Sequence, residues 1–143
     1  VTINEIPPLV KEALISAEDD GFYQHAGIEP KGFIRAALNN LATGRKSQGA
    51  STITMQVARN FFLSSERSYI RKLYEVAMAF KIEANLSKDE ILQIYMNQIF
   101  LGNRAYGFAA AARTYYGKSL QQLTTRSQVP NAPRCVETMC SAA

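Results

Sequence analysis

Apolar residues recur along this chain at spacings of three and four, the period of an amphipathic α-helix. The first such pattern follows Pro7 and Pro8 and ends at about Glu18, which predicts a helix with proline at its start. Its apolar face is formed by Leu9, Val10, Ala13, Leu14 and Ala17. The pattern therefore places Glu18 at a helix terminus, where a loop with Gly21 and Gly27 begins.

Five further patterns predict helices along the rest of the chain. They cover about residues 30–44, 51–60, 65–84, 88–100 and 108–116. The longest predicted helix carries apolar residues at the helical period, namely Ile70, Leu73, Ala77, Phe80 and Ala84. No alternation typical of a strand and no hairpin signal occurs, so the sequence predicts a mainly α fold.

Polar residues mark the starts of several predicted helices. Ser51 and Thr52 are candidate caps for one helix, and residues 87–90 form a capping box for another. A further capping box at residues 119–122 begins a helix that is cut short. The helical pattern ends there, and residues 124–143 are expected to form an irregular tail.

Composition and charge narrow the function classes only slightly. The length of 143 residues and the 47% hydrophobic content are ordinary for one domain. The net charge of +4 favours acidic ligands but lacks the charge density of a dedicated nucleic-acid binder. Cys135 and Cys140 form no disulfide framework or zinc site. No long apolar run and no signal-peptide pattern occurs, so if the protein works at a membrane, its anchor is expected outside this segment.

One acidic cluster combines three carboxylates with aromatic residues and the single histidine. Glu18, Asp19 and Asp20 come first, and Phe22, Tyr23 and His25 follow. One interpretation is a solvated acidic loop. The other makes Glu18 a general base, because the apolar helix face ends on it and aromatic neighbours would lower the local dielectric constant. His25 is not expected to bind a metal, since no second histidine supplies a ligand pair.

A second carboxylate lies among basic residues. Glu75 follows Arg71 by four residues and Lys72 by three, so the three share a helical face. One interpretation is a surface ion pair, worth about 0.2–0.5 kcal/mol. The alternative is a phosphate pocket to which Arg59 and Lys46 also contribute, with Glu75 tuning the pocket or holding a divalent cation.

Backbone amides would add to such a pocket. A helix that begins after Ser51 and Thr52 presents its positive end there, which favours an anion. A base, a phosphate pocket and a second carboxylate together suit the transfer of a sugar away from a phosphate leaving group.

Four ordered segments resemble the motifs of a known family, the peptidoglycan glycosyltransferase domain (family 51) of class A penicillin-binding proteins. Residues 18–27 match its E-D-x-x-F-x-x-H-x-G motif, and residues 49–56 match G-x-S-T-I-T-Q-Q, with Met55 in place of the first glutamine. Residues 71–75 match R-K-x-x-E, and residues 88–97 match K-x-x-I-L-x-x-Y-L-N, with Met96 at the second leucine of that pattern. The 1A-like type is the expected subgroup.

The resemblance implies a mainly α, lysozyme-like glycosyltransferase fold with two lobes around a glycan cleft. Residues 1–123 would form the domain, with a membrane-dipping jaw subdomain at about residues 28–48. The family continues with an apolar helix and a further motif where this sequence has residues 124–143, so the domain is expected to be incomplete at its C-terminal end.

The resemblance also implies roles for individual residues. Glu18 would be the general base and Glu75 the second catalytic carboxylate. The residues implied in substrate or pyrophosphate binding are Lys46, Ser51, Thr52, Gln56, Arg59, Arg71 and Lys72. The residues implied in support of the site are Asp19, Phe22, His25 and Asn97.

The implied substrates are lipid II and the growing glycan chain, joined by a β-1,4 bond with inversion and release of undecaprenyl pyrophosphate. The implied cofactor is a divalent cation, Mg²⁺ or Mn²⁺, at Glu75, with no organic cofactor. The implied location is the outer, periplasmic face of the bacterial cytoplasmic membrane, in contact with the membrane surface and not with nucleic acid. The full-length protein is expected to carry a transpeptidase domain and a membrane anchor.

Two other function classes stay open at this point. A lysozyme-like glycan hydrolase would need one or two carboxylates across a sugar, but no basic pyrophosphate pocket. A non-catalytic membrane or cell-wall binding module would use the basic residues without Glu18.

Overall fold

The computed structural model of this chain describes residues 1–32, 34, 35, 38, 51–62 and 69–123. Most of the predicted jaw at residues 28–48, the loop with Lys46 and the predicted tail at residues 124–143 lie outside the described residues. The chain divides into two compact units. Unit 1 consists of Val1–Asp20 and Ser87–Ala143, and unit 2 consists of Gly21–Leu86.

Unit 1 is helical in its described part. It contains helices α1 (Pro8–Glu18), α5 (Lys88–Gln98) and α6 (Phe108–Tyr116). Two short 3-10 helices, Ile3–Glu5 and Leu120–Gln122, complete it. Its buried apolar side chains are Ile6, Leu14, Ile91, Leu92, Tyr95, Met96, Ile99, Leu101, Ala105, Phe108, Ala111, Ala112 and Leu120.

Capping explains where α1 and α5 begin. Pro8 opens α1, where its missing N–H removes no helical hydrogen bond. At α5, the Ser87 hydroxyl accepts from the Glu90 N–H at 3.4 Å, and the Glu90 carboxylate accepts from the Ser87 N–H at 2.8 Å. This reciprocal arrangement confirms the predicted capping box.

Unit 2 contains α2, α3 and α4. Residues 30–32, 34, 35 and 38 of α2 are helical, and α3 (Ile53–Phe62) packs against α4 (Tyr69–Asn85). The buried apolar side chains of this unit are Phe22, Ile53, Met55, Val57, Ala58, Ala79 and Ile82.

Helix α4 buries a polar stripe and exposes an apolar one. Lys72, Glu75, Ala79 and Glu83 fall within one narrow arc of the helix, because successive residues turn by about 100°. Glu75 and Ala79 are buried, whereas Ile70 and Leu73 on the opposite side are 67% and 70% exposed. The predicted amphipathic helix is confirmed, but its apolar stripe is not the face that enters the core of unit 2.

The prediction of a mainly α chain is confirmed. Among the described residues, the only strand-like pairing is an isolated bridge between Phe100 and Tyr106. None of the helices in the described ranges combines the length and apolar character needed to cross a membrane.

Candidate active site

The first predicted catalytic residue, Glu18, is the last residue of α1 in unit 1. Asp19 caps this helix, since its backbone N–H donates to the Ile15 carbonyl at 2.9 Å. Asp19 is buried, while Glu18 is half-buried. The helix end therefore fixes the backbone at Glu18 and leaves part of its side chain accessible to a reacting group.

From Gly21 onward, the loop after Glu18 belongs to unit 2 and is organised around Phe22. The Phe22 ring is fully buried and makes edge contacts with the rings of Tyr23 and His25, at centroid distances of 5.2 and 6.4 Å. His25 Nδ1 accepts a hydrogen bond from the Gly27 N–H at 3.1 Å, so a neutral imidazole carries its proton on Nε2. Phe22 and His25 thus shape this loop.

Thr52 connects the loop to the start of α3. Its hydroxyl donates to the Gly27 carbonyl at 2.6 Å and accepts from the Met55 N–H at 3.2 Å. The second bond is a helix N-cap, which confirms the predicted capping role of Thr52. Gly27 has a positive φ of 91°, a conformation that suits glycine. The first and second sequence motifs therefore meet through Thr52.

Lys72 connects the second motif to the third. Its ammonium Nζ donates to Ser51 Oγ at 2.6 Å and to Glu75 Oε2 at 2.9 Å. Arg71 Nε lies 3.2 Å from the other carboxylate oxygen of Glu75. We call Ser51, Arg71, Lys72 and Glu75 the Glu75 cluster.

Burial distinguishes this cluster from a surface ion pair. The Glu75 side chain is 1% exposed, while the side chains of Arg71 and Lys72 are 19% and 34% exposed. Interpreting Glu75 as a surface residue is therefore wrong. A buried carboxylate needs paired charges, and Arg71 and Lys72 supply two. The side chains of the cluster carry one net positive charge, which suits a phosphate group.

The same geometry tests whether residues of the chain could form a metal site. Both oxygens of Glu75 already face cationic groups, at 2.9 and 3.2 Å. Among the described residues, no group of three or more His, Cys, Asp or Glu side chains is placed to hold a metal ion. These residues do not form a site that would hold Mg²⁺ or Mn²⁺ by protein ligands alone.

The other predicted site residues are placed as follows. Gln56 is buried in the first turns of α3, and Arg59 lies half-buried in its last turn. Among the described residues, none forms an ion pair with Arg59. Asn97 belongs to unit 1, where its amide donates to the carbonyls of Val1 and Gln93 at 2.7 and 2.8 Å. Met55 is fully buried.

The sequence interpretation missed two residues that adjoin this site. The Thr54 hydroxyl donates to Glu83 Oε1 at 2.6 Å, which joins α3 to α4. The only signal for Glu83 is its spacing of eight from Glu75 and eleven from Lys72, which puts it on the same stripe of a helix. A search for apolar residues at the helical period does not detect such a polar stripe.

Comparison with known proteins identifies the class. The profile of a protein family described as Transglycosylase matches residues 1–130. The chain therefore belongs to the transglycosylase family.

Individual relatives indicate which type of transglycosylase this chain resembles. The chain is 52% identical over 138 residues to penicillin-binding protein 1A of Escherichia coli (strain K12), covering 93% of this chain and 16% of that protein. It is 54% identical over 122 residues to penicillin-binding protein 1A of Neisseria flavescens, covering 85% of this chain and 15% of that protein. It is also 57% identical over 124 residues to a protein of Cupriavidus necator provisionally named a transglycosylase, covering 87% of this chain and 53% of that protein.

These relatives confirm the predicted enzyme class, a peptidoglycan glycosyltransferase domain of the penicillin-binding protein 1A type. The chain spans about a sixth of the length of the penicillin-binding proteins 1A and about half of the Cupriavidus necator protein.

Proposed function

We propose that this domain polymerises lipid II into β-1,4-linked glycan strands, with inversion and release of undecaprenyl pyrophosphate. The observation that carries the proposal is the double hydrogen bond of Lys72, which joins Ser51 to the buried Glu75. These hydrogen bonds bring the second and third sequence motifs together and place the cationic side chains of the Glu75 cluster beside the N-terminus of α3. Such an arrangement suits the pyrophosphate of a lipid-linked sugar.

In the proposed reaction, Glu18 accepts the proton of the 4-hydroxyl group of the acceptor GlcNAc. The resulting oxygen attacks C1 of the lipid-linked MurNAc from the face opposite the α-linked pyrophosphate. The bond between C1 and the pyrophosphate oxygen breaks, and its electron pair stays on the pyrophosphate. Inversion at C1 produces the β linkage.

The proposed role of the Glu75 cluster is to stabilise the departing pyrophosphate. Arg71 and Lys72 would neutralise its developing charge, so departure would need no strong acid. Glu75 would orient both cations, since it pairs with each of them. Lys46, Arg59, Thr52 and Gln56 are proposed to complete the binding of the substrate.

In this proposal, a divalent cation would bind only together with the pyrophosphate. Mg²⁺ is commonly held by one or two carboxylates together with substrate phosphates. Mg²⁺ or Mn²⁺ would then have Glu75 as a protein ligand and would add positive charge at the leaving group.

The proposal extends to a membrane-facing surface of unit 2. Ile34 and Leu38, within the predicted jaw, are exposed, as are Leu73 and Phe80 of α4. Exposed apolar side chains of this size are typical of surfaces that contact a partner or a lipid bilayer. We propose that this domain works at the outer face of the bacterial cytoplasmic membrane, in a protein that also has an anchor and a transpeptidase domain.

The finer fold assignment is part of the same proposal. The helical content and the family membership support a lysozyme-like fold with two lobes around a glycan cleft.

An assay with two substrates separates this function from a glycan hydrolase. The protein is incubated with labelled lipid II and, separately, with finished glycan strands. Polymer growth from lipid II is the expected result. Cleavage of finished glycan without polymer growth would contradict the proposal, and binding of either substrate without turnover would favour a non-catalytic module.

A further inference from the structure

A hydrogen bond between α3 and α4 lies outside the catalytic roles proposed above. Thr54 Oγ1 donates to Glu83 Oε1 at 2.6 Å. Thr54 is fully buried and Glu83 is half-buried. A buried hydroxyl donating to a carboxylate forms a charge-assisted hydrogen bond, which is short and directional. This bond fixes the first turn of α3 against α4.

The bond is the second of two polar links between the same pair of segments. Lys72 and Glu83 lie on one stripe of α4, separated by eleven residues or about 16 Å of helix rise. Lys72 holds Ser51, just before α3, and Glu83 holds Thr54, in the first turn of α3. Two links at separate points restrain both the position and the rotation of the α3 N-terminus.

The loop at Gly27 makes a third contact with this region. The Gly27 carbonyl accepts from the Thr52 hydroxyl at 2.6 Å. A Cβ atom added to Gly27 would lie 3.2 Å from Glu83 Cγ and 3.3 Å from the Ala79 backbone, so the loop packs closely on α4. The aliphatic part of Glu83 therefore supports the loop that Thr52 binds, while its carboxylate holds Thr54.

We propose that Glu83 is a positioning residue for pyrophosphate binding. Its carboxylate holds Thr54, and through Thr54 it keeps Ser51 and Thr52 at the places where they meet Lys72 and Gly27. This inference rests on the proposed function of the Glu75 cluster. It assigns Glu83 no contact with substrate.

The test compares the wild type with Thr54→Val, Glu83→Ala, the double variant and Glu83→Gln. Thr54→Val removes the donor with little change of shape, and Glu83→Gln removes the charge but keeps an acceptor oxygen. The measurements are the dissociation constant of inorganic pyrophosphate by calorimetry, KM and kcat for lipid II, and the melting temperature. Thr114→Val, at an exposed position of α6, is the matched control.

We expect Thr54→Val and Glu83→Ala each to weaken pyrophosphate binding by about threefold to tenfold, the size of one lost hydrogen bond. The double variant should be no weaker than Glu83→Ala, because that single variant already lacks the bond to Thr54. Glu83→Gln should stay within about twofold of the wild type. KM for lipid II should rise more than kcat falls.

Whether pyrophosphate binding becomes weaker or stronger distinguishes a positioning role of Glu83 from a purely electrostatic one. By charge alone, loss of a carboxylate would leave anion binding unchanged or make it stronger. A lower melting temperature with an unchanged dissociation constant, or losses that multiply in the double variant, would overturn the inference about Glu83. If the wild type neither binds pyrophosphate nor extends lipid II, the proposed function falls and this inference falls with it.

Discussion

Lys72 donates a hydrogen bond of 2.6 Å to Ser51, and the same ammonium group donates to the buried Glu75 at 2.9 Å. One side chain thus links the segment before α3 to Glu75, the proposed second catalytic carboxylate. The Lys72 side chain is 34% exposed, so an incoming anion can reach it from solvent, and Arg71 is a second cationic neighbour of the buried Glu75.

Replacement of Lys72 tests its part in binding the leaving group. Lys72→Met keeps the aliphatic stem and removes the charge. We expect KM for lipid II to rise by about tenfold to a hundredfold, since hydrogen bonds to charged groups are worth about 1.5–3 kcal/mol. Steady-state kinetics gives this value. Lys81→Met, at an exposed position on the same helix, is the control and should leave KM unchanged. Equal effects of the two substitutions would show that only the general charge of the domain matters.

Glu75→Gln tests whether this carboxylate acts in turnover or only stabilises the fold. The substitution removes the buried negative charge that Arg71 and Lys72 both face, and we expect a loss of about 1–3 kcal/mol in the free energy of unfolding. Because the cations would no longer be oriented toward the leaving group, kcat should fall much more than binding of the acceptor glycan. Urea unfolding and single-turnover kinetics measure the two effects. A loss of acceptor binding equal to the loss of turnover would assign Glu75 a structural role alone.

Local sequence signals predicted the helices of this chain well. Pro8, the capping box of Ser87 and the glycine at position 117 mark helix ends by rules that act within one turn of the chain. Spacings of three and four residues likewise predicted that Arg71, Lys72 and Glu75 share a helical face. These features depend on neighbours in the sequence.

The sequence could not predict which face of α4 is buried. Apolar periodicity selected the side with Ile70 and Leu73, whereas the core of unit 2 receives Glu75 and Ala79. The choice depends on polar partners from distant segments, such as Ser51 for Lys72 and Thr54 for Glu83, and such pairings leave no local pattern. For the same reason, the burial of Glu75 could not be predicted from the sequence.

The capping box of α5 predicts a dependence of stability on pH. Hydrogen bonds from the backbone N–H and then the hydroxyl of Ser87 lower the pKa of Glu90 below its ordinary value of 4.5. A carboxylate with a lowered pKa in the folded state stabilises the fold above its unfolded pKa. This contribution is lost as the pH falls through the folded pKa.

Ser87→Ala should therefore destabilise the domain more near neutral pH than in acid. Loss of such a cap costs about 0.5–2 kcal/mol. Urea unfolding at a series of pH values from neutral into the acid range measures the difference between wild type and variant, which should shrink as the pH falls through the lowered pKa of Glu90. Ser16→Ala, at an exposed position of α1, serves as the control. A difference that stays constant across this range would contradict the assigned role of Glu90.

The most direct test of the account is the rate of lipid II polymerisation by Glu18→Gln. This variant keeps the shape of the side chain at the end of α1 and removes its ability to accept a proton. Its control is Glu12→Gln, which removes one carboxylate from an exposed position of the same helix. We expect kcat for Glu18→Gln to fall by at least about a hundredfold, the contribution typical of a general base, while Glu12→Gln retains the wild-type rate. Polymerisation by Glu18→Gln at the rate of Glu12→Gln would contradict the role of Glu18 as general base.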